Sequence, residues 1–291
     1  LNFFQSNSAY RHTAASRTVQ IWASSGATIV FSGGYRIIMQ TTNNTILITG
    51  GGSGIGLAMA EAFLKEGNEV LICGRRESRL IEARQRLPQL HIKTCDVGNK
   101  THRDELFQWA VSEFPQVNIL INNAGIQKEI DFLTGAGGLN DGENEIDINL
   151  TGSIDLCAMF TSHFLKQKKE CAIVNVTSGL AFVPLKIVPV YCATKAALHT
   201  FSMSLRSQLS KTNVRVFEIA PPIVKTELHR EAKARKQSQR GIEARIVADA
   251  MMRALKNNRF ETIVGQAKAL KGASRIAPHF FHNLLNKVAA G

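Results

Sequence analysis

The sequence predicts an α/β protein whose core is a doubly wound parallel sheet with helices on both faces. Three observations carry that expectation. From residue 45 to residue 264, short apolar, β-branched runs alternate with longer stretches of helical periodicity. The first of these runs passes through a glycine-rich turn directly into a helix, the opening of a parallel strand–helix–strand unit. No repeat or low-complexity linker divides the span, so it reads as one domain.

In order, residues 45–49 form the first strand, followed by Gly50-Gly51-Gly52-Ser53-Gly54-Ile55-Gly56 and a helix to Lys65. Gly67-Asn68 turns the chain into a strand at 69–73. A helix over 77–87 is closed by Pro88, and a strand follows at 90–94. The helix over 100–114 places Leu106, Phe107, Ala110, Val111 and Phe114 on one face, and Pro115 ends it. The strand at 118–122 leads through a glycine-rich loop (134–142) to one long helix, 143–167. A strand at 171–177 precedes the helix that carries Tyr191 and Lys195 and runs to about residue 209. A strand at 214–220, a polar basic segment at 226–241, a helix to about 256 and a strand at 261–264 complete the alternation. Units of this length build a Rossmann-type three-layer α/β/α arrangement.

Composition narrows the function. With 44% apolar and 20% charged residues, the 291-residue chain has the make-up of a soluble globular protein. The net charge of +12 is spread along the chain without a basic, aromatic-bearing module, which argues against nucleic acid and for an anionic cofactor or substrate. The five cysteines (73, 95, 157, 171 and 192) include no Cys-x-x-Cys pair. They are expected as buried, reduced thiols in a cytoplasmic protein, with no metal site and no disulfide framework.

Residues 1–38 differ from the rest. They hold no Asp or Glu, and Arg11, Arg17 and Arg36 are their strong charges. A targeting segment would have this composition. The expectation is instead that the leader lies outside the fold and that the domain spans 39–291, from Met39.

Two motifs carry chemistry. Tyr191 and Lys195 stand four residues apart, so on a helix they share a face. An ammonium beside a phenol favours the phenolate, which is one way to make a general acid/base for a hydroxyl. An ordinary helix face would show the same spacing. Gly50-x-x-x-Gly54-x-Gly56 lies between a strand and a helix, where backbone amides can approach a pyrophosphate and the helix N-terminus favours its charge. A glycine-rich turn without a ligand is the alternative.

Taken together, Thr49-Gly50-x-x-x-Gly54-x-Gly56, Asp96-Val97, Asn122-Asn123-Ala124-Gly125, Asn149, Ser178 and Tyr191-x-x-x-Lys195 resemble, in order and spacing, the short-chain dehydrogenase/reductase family. The likeness covers residues 45 to about 264, and residues 43–50 with the tail around 268–278 look like those of one subgroup of its oxidoreductases. The resemblance implies NAD(P)-dependent interconversion of a carbonyl and an alcohol, with four catalytic residues. Tyr191 would exchange a proton with the substrate oxygen. Lys195 would lower the phenol's pKa and hold the cofactor ribose. Ser178 would hydrogen-bond the carbonyl, and Asn149 would support a water leading to the lysine. Gly50, Ser53, Gly54, Ile55 and Gly56 would cradle the pyrophosphate. Asp96 and Val97 would border the adenine, Asn123, Ala124 and Gly125 would line the floor near the ribose, and Val224 and Thr226 would touch the carboxamide and a phosphate. The family commonly has Pro-Gly after the strand at 214–220. Here Pro221-Pro222 stands instead, which should stiffen that loop.

Cofactor choice follows from the end of the second strand. NAD sites usually place an acid there. This chain has Cys73-Gly74-Arg75-Arg76, so NADP(H) is expected, mainly through Arg75 with Arg76 as either helper or solvated bystander, and NAD(H) is second choice. The apolar stretch 179–190 would wall a pocket for a hydrophobic substrate, or is core. His229, Arg230, Lys233, Arg235, Lys236 and Arg240 form either a lid or a solvated face. The tail around Phe280, Phe281, Leu284, Leu285 and Val288 is expected to pack on its own domain or a sister subunit rather than on a membrane. The resemblance also implies a homodimer or homotetramer. A dinucleotide-binding sensor or scaffold without turnover is the competing reading.

Overall fold

The structure, a computed structural model, describes residues 18–22, 28–32, 39–135, 139, 142–226, 228 and 241–288. The chain divides into two compact units, Leu1–Ile38 and Met39–Gly291. Within the first, β1 (Thr18–Trp22) and β2 (Thr28–Ser32) pair antiparallel, with Thr18 opposite Ser32 and Trp22 opposite Thr28. Both strands are short and rich in β-branched residues, which suits a two-stranded ribbon.

The second unit is the predicted α/β sandwich. Its strands are β3 (Thr45–Thr49), β4 (Glu69–Gly74), β5 (His91–Thr94), β6 (Val117–Asn122), β7 (Cys171–Val176), β8 (Val214–Ala220) and β9 (Glu261–Ile263). They form a parallel sheet in the order β5-β4-β3-β6-β7-β8-β9. The chain winds outward from β3 in one direction, then returns to lay β6 on its other side. That reversal leaves a crevice at the carboxyl ends of β3 and β6, the place where such sheets bind ligands. β3 is buried along its whole length, so it reads as a continuous apolar run with its side chains shared between two layers. Ile46 and Ile48 meet α1 (Gly54–Lys65) and α6 (Ala244–Lys256) through Met59, Phe63, Val247 and Met251. Leu47 faces the other layer, where α3 (Lys100–Glu113) and α4 (Gly152–Phe164) bring Leu106, Leu156, Phe160 and Phe164. α2 (Glu77–Arg86) flanks β4 and β5, and α5 (Pro189–Gln208) lies along β7 and β8.

Local signals explain the boundaries. The Asn99 side chain accepts from His102 N at 3.2 Å and starts α3. Pro189 sits in the first turn of α5, where a missing amide costs nothing. The helix expected over 143–167 is not continuous. Asn144 caps its start by accepting from Ile146 N, a π-turn runs over Asp147–Thr151, and α4 begins at Gly152. A Cβ on Gly152 would stand 2.3 Å from Val97 O, so the helix crosses that strand end almost in contact with its backbone. Beyond β9, where the strand–helix alternation of the sequence ends, the chain adds α7 (Ala267–Ile276) and α8 (Pro278–Val288). Lys271 on α7 pairs with Glu261 on β9. No helix among the described residues is long and apolar enough to cross a membrane. The basic residues of the candidate lid, His229 to Arg240, lie outside the described residues.

Candidate active site at the strand ends

The glycine turn joins β3 to α1. Gly50 and Gly54 have φ of +65° and +55°, where a side chain would be strained. Gly56 answers a different need, because a Cβ there would lie 2.3 Å from Gly50 O and 2.6 Å from Asn123 Nδ2. Gly56→Ala should gain about 1 kcal/mol of helix propensity, but it would overpack a site whose neighbours are backbone, at about 1–3 kcal/mol. The clash wins. A melting temperature lower by about 2–8 °C and a dinucleotide affinity reduced at least about tenfold are expected, read by thermal denaturation and titration. The first turn of α1 carries no acid, so nothing there opposes an anion at the helix N-terminus. Ser53 is its N-cap, and its hydroxyl accepts from Arg76 Nη2 at 3.4 Å. Ile55 packs on the core beneath.

The turn is pinned from across the crevice. Thr49 Oγ1 accepts from the amides of Asn123 and Ala124 at 3.0 Å each, and Asn123 Nδ2 donates to Thr49 O and Gly50 O. Asn123 is therefore spent on backbone, and what it offers a ligand is the shape of the turn. Thr49 stands at the head of the glycine motif, yet sequence reasoning gives it no role of its own, since a strand-end Thr has no distinctive signal. On the next strand ends, Arg75 and Arg76 follow β4, and Asp96 and Val97 follow β5. Asp96 Oδ1 accepts from Gly98 N at 2.9 Å. Val97 is buried, with its carbonyl held by Arg103 Nη1 at 2.8 Å.

Farther along the crevice the remaining residues converge. Asn149 is fully buried within the π-turn, where its amide takes Ile126 N at 2.8 Å and gives to Ile126 O and Thr194 Oγ1. π-turns inside helices are frequent at functional sites. A Cβ on Gly125 would lie 3.2 Å from Asn149 Oδ1 and 3.6 Å from Lys195 Nζ, so the lack of a side chain there lets these two groups approach. Ser178, two residues past β7, accepts from Leu180 N at 3.1 Å and neighbours the Tyr191 phenol. Lys195 Nζ donates to Val176 O at 2.9 Å and stands 5.7 Å from the centroid of the Tyr191 ring. A Cβ on Gly54 would meet Thr226 Cγ2 at 2.9 Å, which places Thr226 against the glycine turn, and buried Val224 bridges to Ile242. The loop after β8 is tied down, with Pro221 O accepting from Gly179 N and Lys225 N donating to Ile242 O.

The electrostatics differ from the sequence expectation of a phenol lowered by its neighbouring ammonium. Burial pushes the Tyr191 phenol above the ordinary tyrosine value, and the neighbouring Ser178 hydroxyl offsets only part of this. Burial also lowers the Lys195 ammonium, to about 8. The arrangement thus holds a protonated phenol at neutral pH, the form that can give a proton to an oxygen. Beneath it lies a buried carboxylate, Glu218, which takes Thr177 Oγ1 at 2.7 Å and His199 Nδ1 at 2.8 Å, so β7, β8 and α5 are locked together next to Ser178. Much of the lining around the phenol is apolar: Val188 and Cys192 are buried, and Leu180, Leu185, Ile187 and Leu228 pack against them, while the buried Glu145 also bears on the phenol. The tail closes this side. Ala267 and Leu270 abut Gly179, and Asn286 accepts from Lys186 N at 2.6 Å and donates to Pro184 O. The five cysteines are free and buried, and burial pushes Cys157 and Cys171 up to about 12, far from the reactive thiolate.

Comparison with known proteins decides the family. The family model for short chain dehydrogenase matches residues 44–237. The chain belongs to the short-chain dehydrogenase/reductase family. It is 49% identical over 238 residues, 81% of its length and 94% of the relative's, to the uncharacterized oxidoreductase DltE of Bacillus subtilis strain 168. Its fold matches a short chain dehydrogenase/reductase from Burkholderia phymatum in complex with NAD (TM-score 0.75, 23% identity, 85% of this chain and 97% of that one). It also matches a short chain dehydrogenase from Burkholderia cenocepacia J2315 in complex with NADP (TM-score 0.73, 25% identity, 85% and 99%). Membership makes the protein an oxidoreductase of the class that acts on CH–OH and C=O groups.

Proposed function

We propose that this short-chain dehydrogenase/reductase reduces a hydrophobic ketone or aldehyde with NADPH, or runs the reverse reaction, using Tyr191 as acid/base. The observation that carries the reading is the buried Tyr191 phenol, neighboured by Ser178 and Lys195, at the same strand ends as the pinned glycine turn. A dinucleotide fits this crevice: a Cβ at Gly50, Gly51, Gly54 or Gly56 of the cradle would clash, the N-terminus of α1 is free of acids, and Arg75 and Arg76 follow β4, where cations would suit a 2′-phosphate. Similar folds occur in complex with NAD and with NADP, and the two arginines favour the latter.

When bound, the nicotinamide supplies or takes up the hydride. Ser178 and Tyr191 hydrogen-bond the substrate oxygen and steady the charge that develops on it. Tyr191 Oη gives its proton to that oxygen in reduction and receives it in oxidation. The Lys195 ammonium stabilises the phenolate left behind, and the apolar wall from Leu180 to Val188 excludes water from the exchange. We also assign the protein to the cytoplasm as a homodimer or homotetramer. Leu165 and Met203, exposed beside α4 and on α5, support pairing through those helices, and light scattering tests it.

Calorimetric titration with NADPH and NADH tests the cofactor reading. Arg75→Met is expected to weaken NADPH about ten- to hundredfold, the worth of a charge-assisted bond to phosphate, and to leave NADH within about twofold. Equal loss for both cofactors would overturn the role given to Arg75.

A further inference from the structure

Arg75 already has an anionic partner. Its Nη1 stands 2.9 Å from Glu143 Oε1, and each side chain keeps about 30% of its exposure. Glu143 belongs to a different part of the chain, just ahead of the π-turn that leads into α4. The same stretch presses Ile148 and Asp147 against Gly98, since a Cβ there would meet them at 2.9 and 3.8 Å. Residues 143–148 therefore pass over the carboxyl ends of β4 and β5, where Arg75, Asp96 and Val97 come together. The backbone at this point is held, because Glu143 O accepts from Lys128 Nζ at 3.1 Å.

We infer that Glu143 is a specificity-determining residue that occupies the guanidinium of Arg75 and competes with the cofactor's 2′-phosphate for it. The inference rests on the reading of Arg75 as the phosphate ligand. A carboxylate and a phosphate offer the same planar fork the same acceptors. Being like-charged, they do not share it without repulsion. The pair is partly exposed and screened, so its strength is that of a surface ion pair. It is weak enough for a dianionic phosphate to displace and strong enough to blunt the preference for it. A cofactor without the phosphate leaves the pair intact and is indifferent to Glu143. The discrimination between the two cofactors is thus set by both residues, one from each side of the adenosine end of the crevice.

Five full-length proteins test this: the parent, Glu143→Gln, Glu143→Asp, Arg75→Met and the Glu143→Gln/Arg75→Met double variant, each titrated with NADPH and NADH after its melting temperature has been checked. Glu143→Gln is expected to tighten NADPH about two- to fivefold, the range of such a pair, with NADH changed less. In the Arg75→Met background the same substitution should do nothing for NADPH. Glu143→Asp, which withdraws the carboxylate by one methylene, should fall between parent and Gln and guards against a folding artefact. If Arg75→Met weakens NADPH while Glu143→Gln leaves it unchanged, the cofactor reading stands and this inference falls. Equal tightening of both cofactors, or a gain that persists in the double variant, also overturns it. If Arg75→Met leaves NADPH binding unchanged, the underlying assignment of Arg75 has failed first.

Discussion

Tyr191→Phe is expected to lower kcat on carbonyl substrates by about 10²–10⁴-fold, the usual worth of a positioned acid, while cofactor affinity stays within about twofold. The substitution removes one oxygen and keeps the ring that packs with Val188 and Cys192, so the apolar wall stays in place. Ser178 loses the hydroxyl beside it but still accepts from Leu180 N. Stability should move by about 1 kcal/mol, since only a buried hydroxyl leaves. Steady-state consumption of the reduced cofactor over a panel of hydrophobic ketones and aldehydes provides the measurement. Activity within tenfold of the parent would remove Tyr191 from the proton transfer. Loss of cofactor binding in parallel would mean that the ring shapes the crevice rather than the chemistry.

Lys195→Met should abolish turnover and, at pH 7, make the protein more stable. The amine is buried, with Val176 O as its hydrogen-bond partner, and burial lowers it from 10.5 to about 8. Below pH 8 both folded and unfolded chains carry the proton, and the folded one bears the full cost of an ammonium out of water. Between about pH 8 and 10.5 the folded chain has released the proton and the unfolded chain still holds it, so the unfolded state binds more protons and stability rises with pH. Methionine, of similar length and no charge, removes both the cost and the pH dependence. The variant's advantage is expected to be a few degrees at pH 7, about 2–4 °C per kcal/mol for a chain of this class. It should shrink as the pH passes through 8 and 9. Melting curves of both proteins from pH 6 to pH 9.5 measure it. An advantage that stays constant with pH would mean that Lys195 titrates outside this window. A variant less stable at every pH would show that the bond to Val176 O outweighs the burial.

Much of this protein is legible from its sequence because its signals are local. The strand–helix alternation, the glycine turn and the prolines at 88 and 115 each act within a few residues, and the sheet follows from them with few alternatives. The catalytic candidates are legible for the same reason, since Tyr191 and Lys195 share a helix face and Ser178 follows a strand. What the sequence hides depends on distant partners. The direction of the phenol's shift needs the burial that only the packed α5, β7 and tail create. Glu143 stands in a polar stretch with nothing to mark it, yet it meets Arg75 from 68 positions earlier. Thr49, as a pin, and Glu218, as a buried lock, look like ordinary strand residues until the neighbouring strands are in place. The break in the helix at 147–151 is hidden because Asn149 is drawn inward by Ile126, and no helical propensity reports that.

The contact of α8 with the loop 184–186, through Asn286, divides labour along the chain. In the proposed function, most of the dinucleotide's end of the crevice would come from residues before about 150, while α7 and α8 would wall the end proposed for the reacting molecule. Mutations in the tail can reshape the latter without touching the former. Evolution can therefore retune what such a protein acts on as an independent module. Two relatives with the same front half and different tails are free to share a redox currency while serving unrelated metabolic ends.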